Sequence, residues 1–186
     1  MPPVRHLRPG YKVVWPNRDK PTVKLTRLLI VLVLFASIAL MLIVTIGGWS
    51  KLQGLKPVNL AWCAIYLVCA FYVWRWSRGL LPITAAFAIL LLSVALIAGT
   101  GLAGTSWFDR DHFGFAPAQS LFGGNALGAD TLGFFTVLMA PVQLLLIILA
   151  MTGFAQGWNV ESEVPEDESE ERGSAKSKSP PAPATA

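Results

Sequence analysis

Four long apolar segments without a charged side chain constrain this chain more than any other feature of its sequence. They cover residues 28–46, 58–74, 80–102 and 132–154, and none contains Asp, Glu, Lys, Arg or His. Each is close to the roughly 20-residue length of a helix that crosses about 30 Å of hydrocarbon. A water-soluble helix keeps a polar stripe, whereas these segments are apolar all round. The sequence therefore predicts an all-α integral membrane protein, a four-helix transmembrane bundle.

The predicted spans divide the chain into three regions. Residues 1–26 form a basic arm, and residues 156–186 form a tail that is first acidic and then rich in Pro and Ala. Such segments bury too little apolar surface to offset chain entropy, so we expect both to be disordered. Residues 27–155 form the transmembrane domain. Its outer loop, residues 103–131, is rich in aromatic residues and is expected to lie on the membrane surface or to fold over the bundle.

Positive charges are distributed unevenly between the two ends of the predicted bundle. Four spans place both tails and the connection between the second and third spans on one side, which holds twelve of the fifteen Lys and Arg residues. Cytoplasmic segments carry this excess in membrane proteins. The sequence therefore predicts a multi-pass protein of the cell membrane with both termini in the cytoplasm (N-in/C-in). The same bias explains the net charge of +4, so nucleic acid is not an expected partner.

Tryptophan positions agree with the predicted span boundaries. Indole rings settle between acyl chains and head groups at a membrane interface. Six of the seven tryptophans lie at or near the end of a span and form the predicted interface belt: Trp49, Trp62, Trp74, Trp76, Trp107 and Trp158.

Small residues spaced four apart predict close helix packing, because they let helix backbones approach each other. They are Ala95, Gly99 and Ala103 in the third span, and Gly153 and Gly157 at the end of the fourth. The segment that begins at Gly99 also matches a dinucleotide-binding pattern through Gly101 and Gly104. That pattern works only between a strand and a helix, and no strand precedes it here, so no cofactor is expected.

Pro141 lies inside the fourth span, where proline kinks a helix and frees the carbonyl one turn earlier. Thr136 and Gln143 are nearby polar side chains that we expect to compensate. A gate is the alternative role for such a kink.

Cys63 and Cys69 lie on different faces of one predicted helix, too far apart for a disulfide bond.

The predicted outer loop contains one cluster of ionisable side chains. Asp109, Asp111 and His112 could bind a divalent cation, whereas Arg110 between the two aspartates favours simple ion pairing. Adjacent residues rarely bind a metal without ligands from elsewhere in the chain. We therefore predict neither a metal centre nor a catalytic set.

Three classes of function are compatible with the sequence. The preferred hypothesis is a non-catalytic accessory or assembly subunit of a membrane complex, because charged tails and small-residue helix faces are available to partners. The second is a small oligomeric channel or transporter-like protein that uses Gln143 or Asn59. The third is an outer-face metal-binding protein or enzyme built on the Asp109, Asp111 and His112 loop. Expected partners are the lipid bilayer and other membrane subunits or further copies of the chain.

Overall fold

Four helices dominate the fold, and each is long and apolar enough to cross a membrane. A computed structural model describes residues 10–49, 52, 55–100, 121 and 126–165. The helices are α1 (Pro21–Gly47), α2 (Lys56–Trp74), α3 (Leu81–Thr100) and α4 (Ala129–Ala155). They match the four predicted apolar segments and confirm a mostly helical chain that is compatible with a multi-pass membrane protein.

Proline marks the start of three of these helices. Pro21 is the first residue of α1, and Pro57 and Pro82 are the second residues of α2 and α3. Proline suits these positions because the first amide groups of a helix have no partner within it, and because its φ angle is already helical. Helix α1 therefore begins at residue 21, ahead of the apolar segment that starts at residue 28.

Helix α4 lies between α1 and α3 and packs against both, while α2 packs mainly on α1. The backbones of α2 and α3 approach each other little, and the two helices meet through long side chains such as Trp62 and Phe87. Ile30 and Leu34 of α1 and Leu146 of α4 are fully buried in the core between these helices.

The two tails pair with each other in a two-stranded antiparallel sheet. Strand β1 (Tyr11–Val14) lies along β2 (Ser162–Pro165), with Tyr11 opposite Pro165 and Val14 opposite Ser162. A short 310 helix, Pro16–Asp19, connects β1 to α1. The pairing brings both tails to the same end of the helices.

The sheet differs from the predicted all-α fold, and it gives regular structure to residues 11–14 and 162–165 within the tails that were predicted to be disordered. The tails do not need a core of their own, because they pair with each other and bury Trp158 against the helices. Residues 1–9 and 166–186 lie outside the described part of the chain.

Helix α4 runs through Pro141 without interruption from Ala129 to Ala155. The two predicted compensating side chains have other partners. The hydroxyl group of Thr136 donates to the carbonyl oxygen of Leu132 at 2.8 Å, and the amide of Gln143 bonds to other helices.

Candidate functional site

One end of the bundle gathers polar and aromatic side chains from α1, α2 and α4, from the α2–α3 connection and from both tails. Helices α1 and α3 begin there, α2 and α4 end there, and the β1–β2 sheet extends from it. We call this region the cap, which comprises residues 10–27, 74–81 and 154–165.

Three tryptophan rings alternate with two arginine side chains across the cap. The guanidinium carbon of Arg18 lies 4.7 Å from the ring centre of Trp15 and 5.7 Å from that of Trp76. The guanidinium carbon of Arg27 lies 4.0 Å from the ring centre of Trp76 and 4.8 Å from that of Trp74. All four distances fall within the roughly 6 Å range of cation–π attraction. We call the series Trp15, Arg18, Trp76, Arg27 and Trp74 the Arg–Trp ladder.

Trp76, at the centre of the ladder, has an unusual backbone conformation. Its φ angle is +67°, in the left-handed region that bulky residues rarely adopt. The amide of Trp76 donates to the carbonyl oxygen of Val73, and the amide of Ser77 donates to that of Tyr72, both at 3.0 Å. This is the Schellman arrangement that ends many helices, in which the residue at the position of Trp76 is usually glycine. A tryptophan there carries a strain of about 1–3 kcal/mol, which the contacts of its ring must offset.

Helix α4 ends with glycine at the corresponding position. Gly157 has a φ angle of +61°, and its amide donates to the carbonyl oxygen of Phe154. Gly157 follows the end of α4 at Ala155, so the prediction that it packs one helix against another needs correction. It reverses the chain after α4, because glycine adopts left-handed angles without steric cost.

This reversal folds Trp158 back onto the helices. The side chain is fully buried, and its ring meets that of Trp76 edge-on at 5.7 Å between centres. A methyl group at Gly153 would lie only 2.9 Å from the Trp158 ring, so the glycine makes room for the indole. Trp158 was predicted to belong to an interface belt, and its burial corrects that prediction. The indole N–H donates to Oε1 of Gln156 at 3.1 Å, which satisfies the polar atom of a buried tryptophan.

Arginine side chains donate hydrogen bonds to carbonyl groups at the ends of α2 and α4, the two helices that end in the cap. Nη1 of Arg27 donates to the carbonyl oxygen of Trp74 at 3.2 Å, at the end of α2. Nε of Arg78 donates to the carbonyl oxygen of Phe154 at 2.8 Å, and its guanidinium carbon lies 4.4 Å from the Phe154 ring centre. The last carbonyl groups of a helix lack internal partners and carry partial negative charge, so a cation there is stabilising.

Further hydrogen bonds fasten the N-terminal arm to the C-terminal tail. Nδ2 of Asn17 donates to the carbonyl oxygen of Gly157 at 3.1 Å. Arg18 donates from Nε to the carbonyl oxygen of Trp158 at 3.2 Å and from Nη2 to Oδ1 of Asn159 at 3.1 Å. Arg18 therefore acts both in the ladder and as a link between the two tails.

A second polar feature lies inside the bundle, near the middle of α1, α2 and α4. The hydroxyl group of Tyr66 donates to Oε1 of Gln143 at 2.7 Å, and Nε2 of Gln143 donates to Oγ of Ser37 at 2.9 Å. Ser37 in turn donates to the carbonyl oxygen of Val33 at 2.8 Å. Tyr66, Gln143 and Ser37 are fully buried, and we call them the polar network. It joins three helices and gives each side chain a partner.

Asn59, the other polar residue predicted for a channel, also has a partner inside the bundle. Its Nδ2 donates to Oγ1 of Thr45 at 3.1 Å, and Thr45 donates to the carbonyl oxygen of Met41 at 2.6 Å. Cys63 and Cys69 are buried, and neither is in a disulfide bond in the structure.

Two of the small residues predicted to pack helices together lie in the described part of α3, and Gly99 faces α4. Ala95 is buried, and a methyl group at Gly99 would lie 2.7 Å from Cγ2 of Val137 and 2.9 Å from its backbone nitrogen. The protein's own fourth helix therefore packs directly on Gly99. Ala103 lies outside the described residues.

The remaining predicted belt tryptophans have varied surroundings. Trp74 is 53% exposed, and Trp62 packs edge-on against Phe87. Trp49 lies at the opposite end from the cap, where the Nζ atom of Lys56 is 4.7 Å from its ring centre. Trp107 lies outside the described residues.

The candidate metal ligands Asp109, Asp111 and His112 also lie outside the described residues. Within the part of the chain that the structure describes, there is no group of three or more His, Cys, Asp or Glu side chains placed to hold a metal ion.

The Arg–Trp ladder was not predicted from the sequence, although part of its signal is visible there. Residues 74–76 read Trp-Arg-Trp, and Trp15 precedes Arg18 by three positions. Comparison of the chain with models of known families, with curated proteins and with solved structures gave no match.

Proposed function

We propose that this chain is a non-catalytic subunit of a larger membrane complex, inserted in the cell membrane with the cap on the cytoplasmic side. The observation that carries the proposal is the cap itself. Both tails are folded there into a platform of paired strands, arginines and tryptophans. Inside the bundle, the side chains of Tyr66, Gln143 and Ser37 are hydrogen-bonded to one another.

The distribution of charge supports this orientation. The end of the bundle with both tails and the α2–α3 connection carries twelve Lys and Arg residues, including Lys24 and Arg27 at the start of α1, and the opposite end carries three. An excess of this size marks the cytoplasmic side of a membrane protein.

We expect a partner to dock on the cap rather than on the helix faces. Among the small residues that were expected to meet another helix, Gly99 meets α4 of the same chain, and Ala95 is buried. In the cap, the sheet has two strands, so each has one edge that no other described strand pairs with. Such an edge offers backbone donors and acceptors to an extended segment of another chain.

The polar network gives the channel hypothesis less support. Gln143 uses its oxygen to accept from Tyr66 and its amide to donate to Ser37, and all three are buried. A water path along Gln143 would have to break these bonds. The metal-binding alternative rests on residues outside the described part of the chain and stays a prediction.

The test is purification of the full-length protein in mild detergent after chemical crosslinking in its native membrane, followed by identification of the proteins crosslinked to it. We expect a reproducible set of membrane proteins with the wild type. We expect loss of that set with Lys12→Glu, which reverses a charge on exposed strand β1 without removing a backbone donor. Lys56→Gln, a charge change at the opposite end, is the control and should keep the partners.

Circular dichroism should show unchanged helix content in both variants. Recovery of the wild type alone as a monodisperse species after crosslinking would refute the proposal. Recovery of the same partners with Lys12→Glu would place the docking surface elsewhere than on β1.

A further inference from the structure

The corner of the cap where α1 and α2 meet combines positive charge with exposed aromatic rings. Arg27 and Arg75 lie at this corner, with Arg27 bonded to the last carbonyl of α2 and Arg75 immediately following that helix. The guanidinium carbon of Arg75 lies 5.6 Å from the ring centre of Phe71. Phe71 is 55% exposed and Trp74 is 53% exposed, so both rings lie on the outer surface of the bundle.

Positive charge exceeds negative charge in the cap. Among the described residues, it holds seven basic side chains and three acidic ones. Asp19 is close to Lys24, at 3.8 Å between Oδ1 and Nζ. Glu163 lies in strand β2 and Glu161 lies immediately before it, so both belong to the C-terminal tail rather than to α1 or α2. The guanidinium groups of the corner therefore have no carboxylate on their own helices.

Arg27 has a further donor that the described residues leave unused. Its Nη1 donates to Trp74, but its Nε is buried and has no hydrogen-bond partner among the described residues. A buried donor without a partner is unfavourable, so an acceptor that reaches this atom would stabilise the protein.

We propose that this corner binds the phosphate of an anionic phospholipid through Arg27 and Arg75, with Phe71 and Trp74 against the upper part of the acyl chains. The inference rests on the proposed membrane insertion with the cap at the cytoplasmic surface. That surface carries anionic lipids, which attract basic residues next to a membrane span.

The side-on position of the aromatic rings selects a lipid over a soluble anion or an acidic protein segment. Phe71 lies one turn inside the end of α2, on the lateral surface where acyl chains would run. Arginine suits the phosphate because its planar group donates two parallel hydrogen bonds to phosphate oxygens. A soluble anion would gain nothing from the rings.

The test uses the full-length protein in nanodiscs that contain phosphatidylcholine and phosphatidylglycerol, two lipids of equal acyl composition. Lipids that remain bound after release into the gas phase are identified by native mass spectrometry. We expect the wild type to retain phosphatidylglycerol in preference to phosphatidylcholine. Arg75→Gln should lower that preference about fivefold, and Arg27→Gln with Arg75→Gln roughly thirtyfold, as about 1 kcal/mol per basic residue near the membrane surface implies.

Lys56→Gln removes one positive charge from the opposite end and should leave the preference unchanged. Arg75→Lys keeps the charge and should restore most of it, and Arg75 makes no contact on which the Arg–Trp ladder depends. A wild type without preference, or a preference equally reduced by Lys56→Gln, would overturn the inference.

Two further outcomes are informative. In the first, inorganic phosphate added to the protein in phosphatidylcholine alone stabilises it as much as phosphatidylglycerol does. This result would show a site for a free anion and would contradict the proposed lipid site. Loss of crosslinked proteins in Arg75→Gln without loss of lipid preference would point to an acidic partner segment instead. Membrane insertion is tested separately by alkaline extraction, which an inserted protein resists. A failure of the lipid site and a failure of the proposed membrane insertion can therefore be told apart.

Discussion

Removal of the Tyr66 hydroxyl group tests whether the polar network holds α1, α2 and α4 together. Tyr66→Phe keeps the buried ring and deletes only the donor of the 2.7 Å bond to Gln143. The change leaves Oε1 of Gln143 buried without that partner. Tyr72→Phe is the matched control, because Tyr72 lies on the same helix and is 48% exposed.

The expected loss of stability follows from the burial of this bond. Interhelical hydrogen bonds in membrane proteins contribute about 0.6 kcal/mol on average and up to about 1.7 kcal/mol. The bond is short, and its acceptor would be stranded, so we expect Tyr66→Phe to destabilise the protein by about 1–2 kcal/mol. Tyr72→Phe should stay within about 0.5 kcal/mol of the wild type.

The assay is reversible unfolding in mixed micelles by increasing sodium dodecyl sulfate, followed by circular dichroism. A double-mutant cycle with Gln143→Leu isolates the pair and should give a coupling of about 0.6–1.7 kcal/mol. Equal stabilities of Tyr66→Phe and Tyr72→Phe, together with zero coupling to Gln143, would refute the reasoning.

Two further predictions address helix packing and the ladder. Gly99→Ala should lower the free energy of unfolding by about 1–3 kcal/mol, because the new methyl group would lie 2.9 Å from the backbone nitrogen of Val137. Gly79→Ala is the control and should have little effect, because no atom lies within 4 Å of its new methyl group. Trp76→Leu keeps the left-handed strain but removes two cation–π contacts of about 0.5–1 kcal/mol each, so amide exchange in the β1–β2 sheet should accelerate. Trp49→Leu at the opposite end should leave exchange in the sheet unchanged, and equal acceleration by both changes would contradict the role of the ladder.

The helices could be predicted from the sequence because one physical requirement determines them. An apolar segment without charges has to satisfy its backbone hydrogen bonds internally, and a helix does so from local residues alone. The start of α1 at Pro21 was harder to predict, because the helix begins seven residues before the apolar segment and its first turns include the basic residues Lys24 and Arg27.

The cap could not be predicted because its contacts join distant parts of the chain. Asn17 and Gly157, which bond to each other, are separated by 140 residues. The local composition of either tail favours disorder, and only the pairing of one with the other supplies the missing contacts. The prediction from small-residue spacing was wrong at Gly157, because spacing does not show where a helix ends. Glycine is itself a common helix-ending residue, and that signal would have predicted the end of α4 correctly.

The Arg–Trp ladder illustrates the same limit for the candidate site. A tryptophan near the end of an apolar segment is typical of a membrane interface, so Trp76 was assigned to the belt. Its left-handed conformation was not expected, because glycine normally fills that position. Only the structure shows that Arg18 and Arg27 contact its ring.

The most direct test of the account is the sidedness of the two ends of the bundle. Val160→Cys places a thiol at an exposed position in the cap, and Leu55→Cys places one at an exposed position at the other end. The native cysteines are buried, and the unmodified protein gives their background. With a membrane-impermeant maleimide, Leu55→Cys should react in intact cells and Val160→Cys only after permeabilisation. Labelling of Val160→Cys in intact cells, or of both positions from one side, would contradict a four-span protein with a cytoplasmic cap.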